Sequence, residues 1–265
     1  MFNYKKNNMN WKIHYNLWDN NEHNKTIALV IDQIASEFER LIPTGPPLGY
    51  KPIYLVNDMY YDHRLYVPLE TDKYKIGLQT EFDTFEKATY QFAHELCHIY
   101  CDPRAISWLS EIICHTASFY FLDLFGEEWE TNAPDKKYGG YYEHFGNLKK
   151  DKLREIVEKV DLVQNQVSNT WIKEEVRKIR RTKDYRNPVI YNIIALELVT
   201  RFKENTDPWA LLPFIGQCHI PPPSEDVKDL SANRDVIPDF NKLYCIVPSH
   251  LKPVVNSWKD TIWID

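Results

Sequence analysis

From Thr26 to Leu41 the apolar residues Ile27, Val30, Ile31, Ile34, Phe38 and Leu41 recur at three- and four-residue steps, the period of an amphipathic helix. Pro43, Gly45, Pro46 and Pro47 stop it. Three short strand-like runs follow, Pro52–Val56, Arg64–Leu69 and Lys73–Gln79, parted by Asn57-Asp58 and Thr71-Asp72 turns. They predict a small sheet, and Pro68 assigns the second run to an open edge because proline has no amide hydrogen for a ladder.

A second helical pattern spans residues 83–101, where Asp83 followed by Glu86 offers a capping box. Asp102-Pro103 predicts both its end and the start of a third helix over 104–125, since Asp is a good N-cap and Pro fits the first helical position. Residues 131–146, with three glycines and a proline, read as a loop. Leu148–Arg181 and Pro188–Phe202 read as charged helices. The tail from Asn205 holds eight of the 16 prolines, which predicts short segments wrapped over the surface. This order of elements is α+β: a core over 1–145, in which a small sheet packs on the second helix, and a mainly helical region over 146–265 packed on that core and not independent of it.

Composition narrows the function classes. With 38 acidic and 32 basic residues the net charge is -6, without the basic surplus that attracts phosphate backbones, so nucleic acid is not an expected partner. No uncharged apolar run approaches the ~20 residues that span a bilayer, so no membrane-embedded site is expected. The Asn-rich, charge-broken N-terminus has no apolar secretion-signal segment, and the five cysteines are odd in number and irregular in spacing. Both features predict a cytoplasmic protein with reduced thiols.

The candidate chemistry lies on the second and third helices. His94-Glu95-Leu96-Cys97-His98 is an HExxH sequence: residues i and i+4 share a helix face, so two imidazoles can hold one metal while the glutamate between them reaches a water on it. Phe85, Ala88, Phe92, Leu96 and Ile99 form the opposite, apolar face, and Tyr90, Gln91, Cys97 and Cys101 lie on the histidine side. On the next helix the apolar stripe Ile106, Leu109, Ile113, Ala117, Tyr120 and Leu124 opposes a narrow strip of Ser107, Glu111, Cys114, His115 and Ser118. A carboxylate on so apolar a helix needs an internal partner. Counted from the Asp102-Pro103 corner, His94 and Glu111 are each about eight residues, ~12 Å, away, so an antiparallel pair brings Glu111 level with His94 as third ligand. His115 falls ~5 Å further on, placed to orient Glu111 or to donate a proton. His94, His98 and Glu111 would leave a fourth zinc position for water, with Glu95 as general base.

QFAHELCHIY followed by WLSE resembles the gluzincin metallopeptidases, in which HExxH on one helix is completed by a glutamate on the next; the likeness covers about residues 50–125. The resemblance implies a zincin-like core, a zinc cofactor, and hydrolysis of a peptide or protein substrate by metal-activated water. It also implies an edge strand that pairs with extended substrate and a tyrosine or histidine that stabilises the oxyanion; Tyr141, Tyr142, His144 and His115 are the candidates. This chain departs from the pattern in three ways. Only 12 residues separate His98 from Glu111, His115 stands where thermolysin-like members often carry aspartate, and Arg104 occupies the position of the third metzincin histidine. Asp135-Lys136-Lys137-Tyr138-Gly139 is similar to the D-x-x-Y-G fragment of aspzincins but stands too far behind HExxH to supply a ligand. Two alternatives accompany the enzyme reading: a closed structural zinc site joining Cys97 or Cys101 to the histidines, and a catalytically inactive zincin-like binding or regulatory module using the basic cluster Lys173–Arg186.

Overall fold

The computed structural model describes residues 9–58, 60, 63–66, 69–81, 83–159, 168–182, 188–222 and 237–262. Pro68, residues 160–167 of the expected Leu148–Arg181 helix and residues 183–186 of the basic cluster lie outside them.

The architecture is mixed α+β. Helix α1 (Asn21–Leu41) begins before its apolar period does, because the Asn20 side chain accepts the Glu22 amide at 2.8 Å and caps the first turn. It carries the chain from β1 (Ile13–Asn16), a short strand hidden in the Asn-rich N-terminal region, to a parallel partner, β2 (Ile53–Asn57). β3 (His63–Leu65) and β4 (Tyr74–Leu78) complete a sheet of order β1-β2-β4-β3, with β1, β2 and β4 parallel and β3 antiparallel to β4. The run that is second of the three expected therefore forms one edge, opposite β1, with His63 paired to Leu78 and Leu65 to Ile76. Ile53, Leu55, Tyr74, Ile76 and Leu78 on the inner strands are buried, as a covered parallel sheet requires.

Helix α2 (Phe85–Tyr100) packs against α1, β3 and β4. The Asp83–Glu86 capping box does not form: Thr84 is the cap residue, and the Glu86 carboxylate accepts the Tyr141 hydroxyl instead. Nor does Asp102-Pro103 open the next helix. Asp102 has φ 70°, a left-handed conformation that aspartate tolerates better than most residues, and Arg104 grips its carboxylate at 2.9 and 2.7 Å. The chain turns there, and α3 (Trp108–Asn132) starts at a reciprocal box in which the Ser107 hydroxyl accepts the Ser110 amide and the Ser110 hydroxyl accepts the Ser107 amide, at 3.2 and 2.8 Å. α3 also runs past the expected end at 125, because Trp129 is buried against Phe85, Phe125 and Phe145. α2 and α3 are antiparallel, with Glu111 beside His94 and His98 and the Ser118 hydroxyl on the Tyr90 carbonyl at 2.8 Å.

The expected 131–146 loop is largely helical, since α3 enters it, a 3-10 turn covers Lys136–Tyr138, and α4 (Tyr142–Lys159) begins within it. α5 (Asn169–Thr182) and α6 (Pro188–Glu204) follow, and α6 lies along α3, so that α3 is covered by α2 and α6 together. The short helices α7 (Asp207–Ala210) and α8 (Leu212–Ile215) set Trp209 against Phe38, Tyr120, Phe121 and Phe202. After a two-stranded ladder of β5 (His219–Ile220) and β6 (Ile237–Pro238) come α9 (Phe240–Ile246) and α10 (Lys252–Ile262). α10, an 11-residue helix in the proline-rich tail, corrects the expectation of short segments; Pro253 stands in its first turn, where a missing amide hydrogen costs nothing. Among the described residues no helix is long and apolar enough to cross a membrane.

Candidate metal centre

His94 and His98 extend from one face of α2, one turn apart, and their Nε2 atoms stand 3.2 Å from each other. Glu111 reaches across from the first turn of α3 with one carboxylate oxygen toward each ring: Oε2 is 3.4 Å from His94 Nε2, and Oε1 is 3.4 Å from His98 Nε2. Burial separates their roles, since the histidine side chains are 4% and 7% exposed and that of Glu111 is 22% exposed, which places the opening of the cluster on the Glu111 side. The spacing is long for a charge-assisted hydrogen bond, which closes to ~2.7–2.9 Å. Two imidazole nitrogens and a carboxylate are a donor set that can hold a metal ion such as zinc.

The protonation state of His94 suits ligation. Burial, with His63 and His98 adding to it and Glu95 opposing, holds the His94 imidazole well below its ordinary range and so neutral, the form that binds metals. His94 Nδ1 is buried without a hydrogen-bond partner, and the ring is held by packing, with the ring centres of His63, His98 and His115 at 4.7, 4.9 and 4.6 Å.

Glu95 faces the edge strand. Its Oε1 lies 2.6 Å from His63 Nδ1, with both side chains largely buried. Burial alone would raise the Glu95 carboxyl, but the opposing causes, led by the His63 hydrogen bond and the His63 charge, leave the group below the usual carboxylate range. Ligand atoms of His63, His94 and Glu95 lie within 4.8 Å of one another, as do those of His94, His98 and Cys114.

His115 does not orient Glu111. Its Nδ1 is 2.8 Å from the Tyr90 hydroxyl, which also reaches Asn192 Oδ1 on α6 at 3.2 Å. Burial keeps this imidazole neutral, with His94 adding to the effect, and its Nδ1 is engaged by the Tyr90 hydroxyl.

The three downstream candidates lie away from the cluster. The Tyr141 hydroxyl accepts the Phe85 amide at 2.9 Å and contacts Asp83 and Glu86, fixing the start of α2 nine residues, ~13 Å, before His94. His144 stacks on Tyr141, and Tyr142 contacts Glu143 at the surface. Asp135 caps its own 3-10 turn by accepting the Lys137 amide. What sequence reasoning missed is His63 and Asn192. Neither has a local pattern: His63 belongs to a three-residue strand, and Asn192 is one polar residue within the largely apolar run of residues 189–196.

Beside Tyr90 a hollow of about 300 Å³ opens between α2, the end of β4 and α4, lined by polar groups that include Lys87 and Lys152. Gln91 forms its wall and ends the strand by taking both backbone groups of Gln79, at 2.9 and 3.0 Å.

Comparison of the chain with family models, curated proteins and solved structures returns no match.

Proposed function

We propose that this protein is a zinc-dependent peptidase of gluzincin type, with a zincin-like core, His94, His98 and Glu111 as metal ligands and Glu95 as general base. The observation that carries the reading is the convergence of two helices on one point, with the His94 and His98 Nε2 atoms 3.2 Å apart and one Glu111 oxygen 3.4 Å from each, Oε2 at His94 and Oε1 at His98.

Zinc, when bound, supplies Lewis acidity that acidifies water and polarises a carbonyl. The chain's own residues do the rest. Glu95, ionised and held by His63 at the rim of the cluster, takes a proton from the attacking water and passes it to the leaving amine. His94, kept neutral by burial, is held within a wall of rings from His63, His98 and His115. The edge strand β3, which carries His63, is the expected backbone partner for extended substrate, and the hollow beside Tyr90 gives a side chain room next to the scissile position.

Zinc per chain, measured by mass spectrometry after dialysis, tests the site: about one is expected in the wild type and far less in Glu111→Ala. Glu95→Gln is then expected to keep its zinc while cleavage of a peptide library falls ~10²–10⁴-fold. Wild-type protein without zinc, or undiminished cleavage by Glu95→Gln, overturns the assignment.

A further inference from the structure

The hollow beside Tyr90 is lined by Gln79, Glu81, Lys87, Gln91 and Lys152 among others, and its volume of about 300 Å³ suits one side chain better than a larger ligand. Most of its neutral polar groups are spent on the fold. Gln91 holds both backbone groups of Gln79, the Thr80 and Thr84 hydroxyls pair at 2.7 Å, and the Tyr90 hydroxyl meets His115 and Asn192. The two lysines are not so engaged. Lys87 makes no ion pair among the described residues. Lys152 Nζ stands 5.6 Å from the centre of the Tyr90 ring, and its carboxylate neighbour is the exposed Glu155 at 3.9 Å, a pair too open and too long to hold it. Glu81, at the exposed rim, is the one acidic residue of the lining, so two positive charges face one negative.

Tyr90 joins this hollow to the metal centre. It precedes His94 by one turn of α2, ~6 Å, and its ring centre lies 6.2 Å from that of His63, the residue that holds Glu95. On the sheet His63 pairs with Leu78 and Gln79 comes next, so a peptide laid along β3 past His63 reaches the hollow within one or two residues, at ~3.3 Å each. We propose that the hollow is a specificity pocket that takes a carboxylate of the substrate between Lys87 and Lys152, from an Asp or Glu side chain or from the substrate's own C-terminus. The Lys152 side chain is 24% exposed, so a carboxylate bound there is screened less than at an open surface. The substrate class rests on the peptidase reading, whereas the carboxylate site itself does not.

Nitrogen-15 NMR titration of the full chain carrying Glu95→Gln reads binding without turnover. The probes are acetyl-Ala-Glu-Ala-amide, its Gln and Lys counterparts, and acetyl-Ala-Ala-Ala with a free carboxyl end. The Glu probe or the free-acid probe is expected to bind ~10-fold tighter than the Gln probe, the size of a hydrogen bond to a charged group, and to shift the Gln79 and Gln91 amides. Whichever does so identifies the source of the carboxylate. Lys152→Glu should abolish the preference and Glu81→Gln should strengthen it, both with zinc content unchanged. Equal binding of all four probes, or an unchanged preference in Lys152→Glu, overturns the proposal; Lys87→Glu gives the same reading if Lys152→Glu fails to fold. Peptide-library cleavage by the unaltered chain separates this inference from the peptidase reading. Cleavage with no preference for an acidic residue or a free C-terminus overturns the pocket alone. Carboxylate-selective binding without any cleavage overturns the peptidase reading and leaves the pocket standing.

Discussion

His63 Nδ1 lies 2.6 Å from Glu95 Oε1, so the edge strand holds the carboxylate that stands between the two histidines of the HExxH sequence. A bond this short between two largely buried groups fixes the direction of the Glu95 side chain. His63→Ala should therefore leave zinc content unchanged and lower kcat ~10–100-fold, the range found when a partner behind a metal site is removed. Zinc analysis beside steady-state kinetics separates the outcomes: loss of zinc would make His63 a ligand, and unchanged kcat would end its positioning role.

Tyr90 links the two helices of the centre to α6. Tyr90→Phe keeps the ring but removes both the His115 and the Asn192 hydrogen bonds, in an environment where each group is buried. Stability should fall by ~1–3 kcal/mol, the cost of leaving a buried polar group unpaired. Urea unfolding measures it, and an unchanged midpoint would mean that water replaces the hydroxyl.

Gly216 presses on the corner between α2 and α3. A Cβ there would stand 2.2 Å from Asp102 Cβ and 2.9 Å from the Cys101 carbonyl oxygen, a backbone atom that cannot swing aside. Gly216→Ala is expected to cost ~1–3 kcal/mol or more by overpacking. It should also lower zinc affinity, because the corner sets how α3 presents Glu111. Thermal unfolding and zinc titration check the two effects, and a melting temperature within error of wild type would refute the first.

His219 gives the fold an acid sensitivity. Burial pushes its imidazole down to about 4, Asp102 opposing, while its Nε2 meets the Ser107 hydroxyl at 2.8 Å. An unfolded chain protonates this histidine near 6.5, so between about 6.5 and 4 the unfolded state takes up a proton that the folded state refuses. The stability it contributes is complete above that window and is lost as pH falls through it, by at most ~3 kcal/mol. His94 and His115, also depressed by burial, act in the same direction. Unfolding free energies at pH 7.5 and 5 should show His219→Gln with a slope shallower by about one proton. An equal slope would place the sensitivity on the other two histidines.

Much of this protein is local and was legible along the chain. The 3.6-residue period of α1 and α2 and the i, i+4 spacing of His94 and His98 depend only on backbone geometry, which puts such residues on one face whatever surrounds them. The level of Glu111 against the histidines followed from counting residues on either side of a corner, and it survived an error in that corner, since α3 begins at Ser107 rather than Asp102 and the Glu111 side chain spans the difference. Tertiary structure decided what no local pattern encodes. β1 is too short to show a period and exists because β2 pairs with it. Tyr141 was expected near the centre but is drawn to the start of α2, where its hydroxyl meets the Phe85 amide and the Glu86 carboxylate. His63 reaches Glu95 and Asn192 reaches Tyr90 only because the edge strand and α6 are packed against α2 and α3. Helical spacing is set by bonds within one segment, whereas each of these contacts joins segments whose approach is chosen by burial of the whole core.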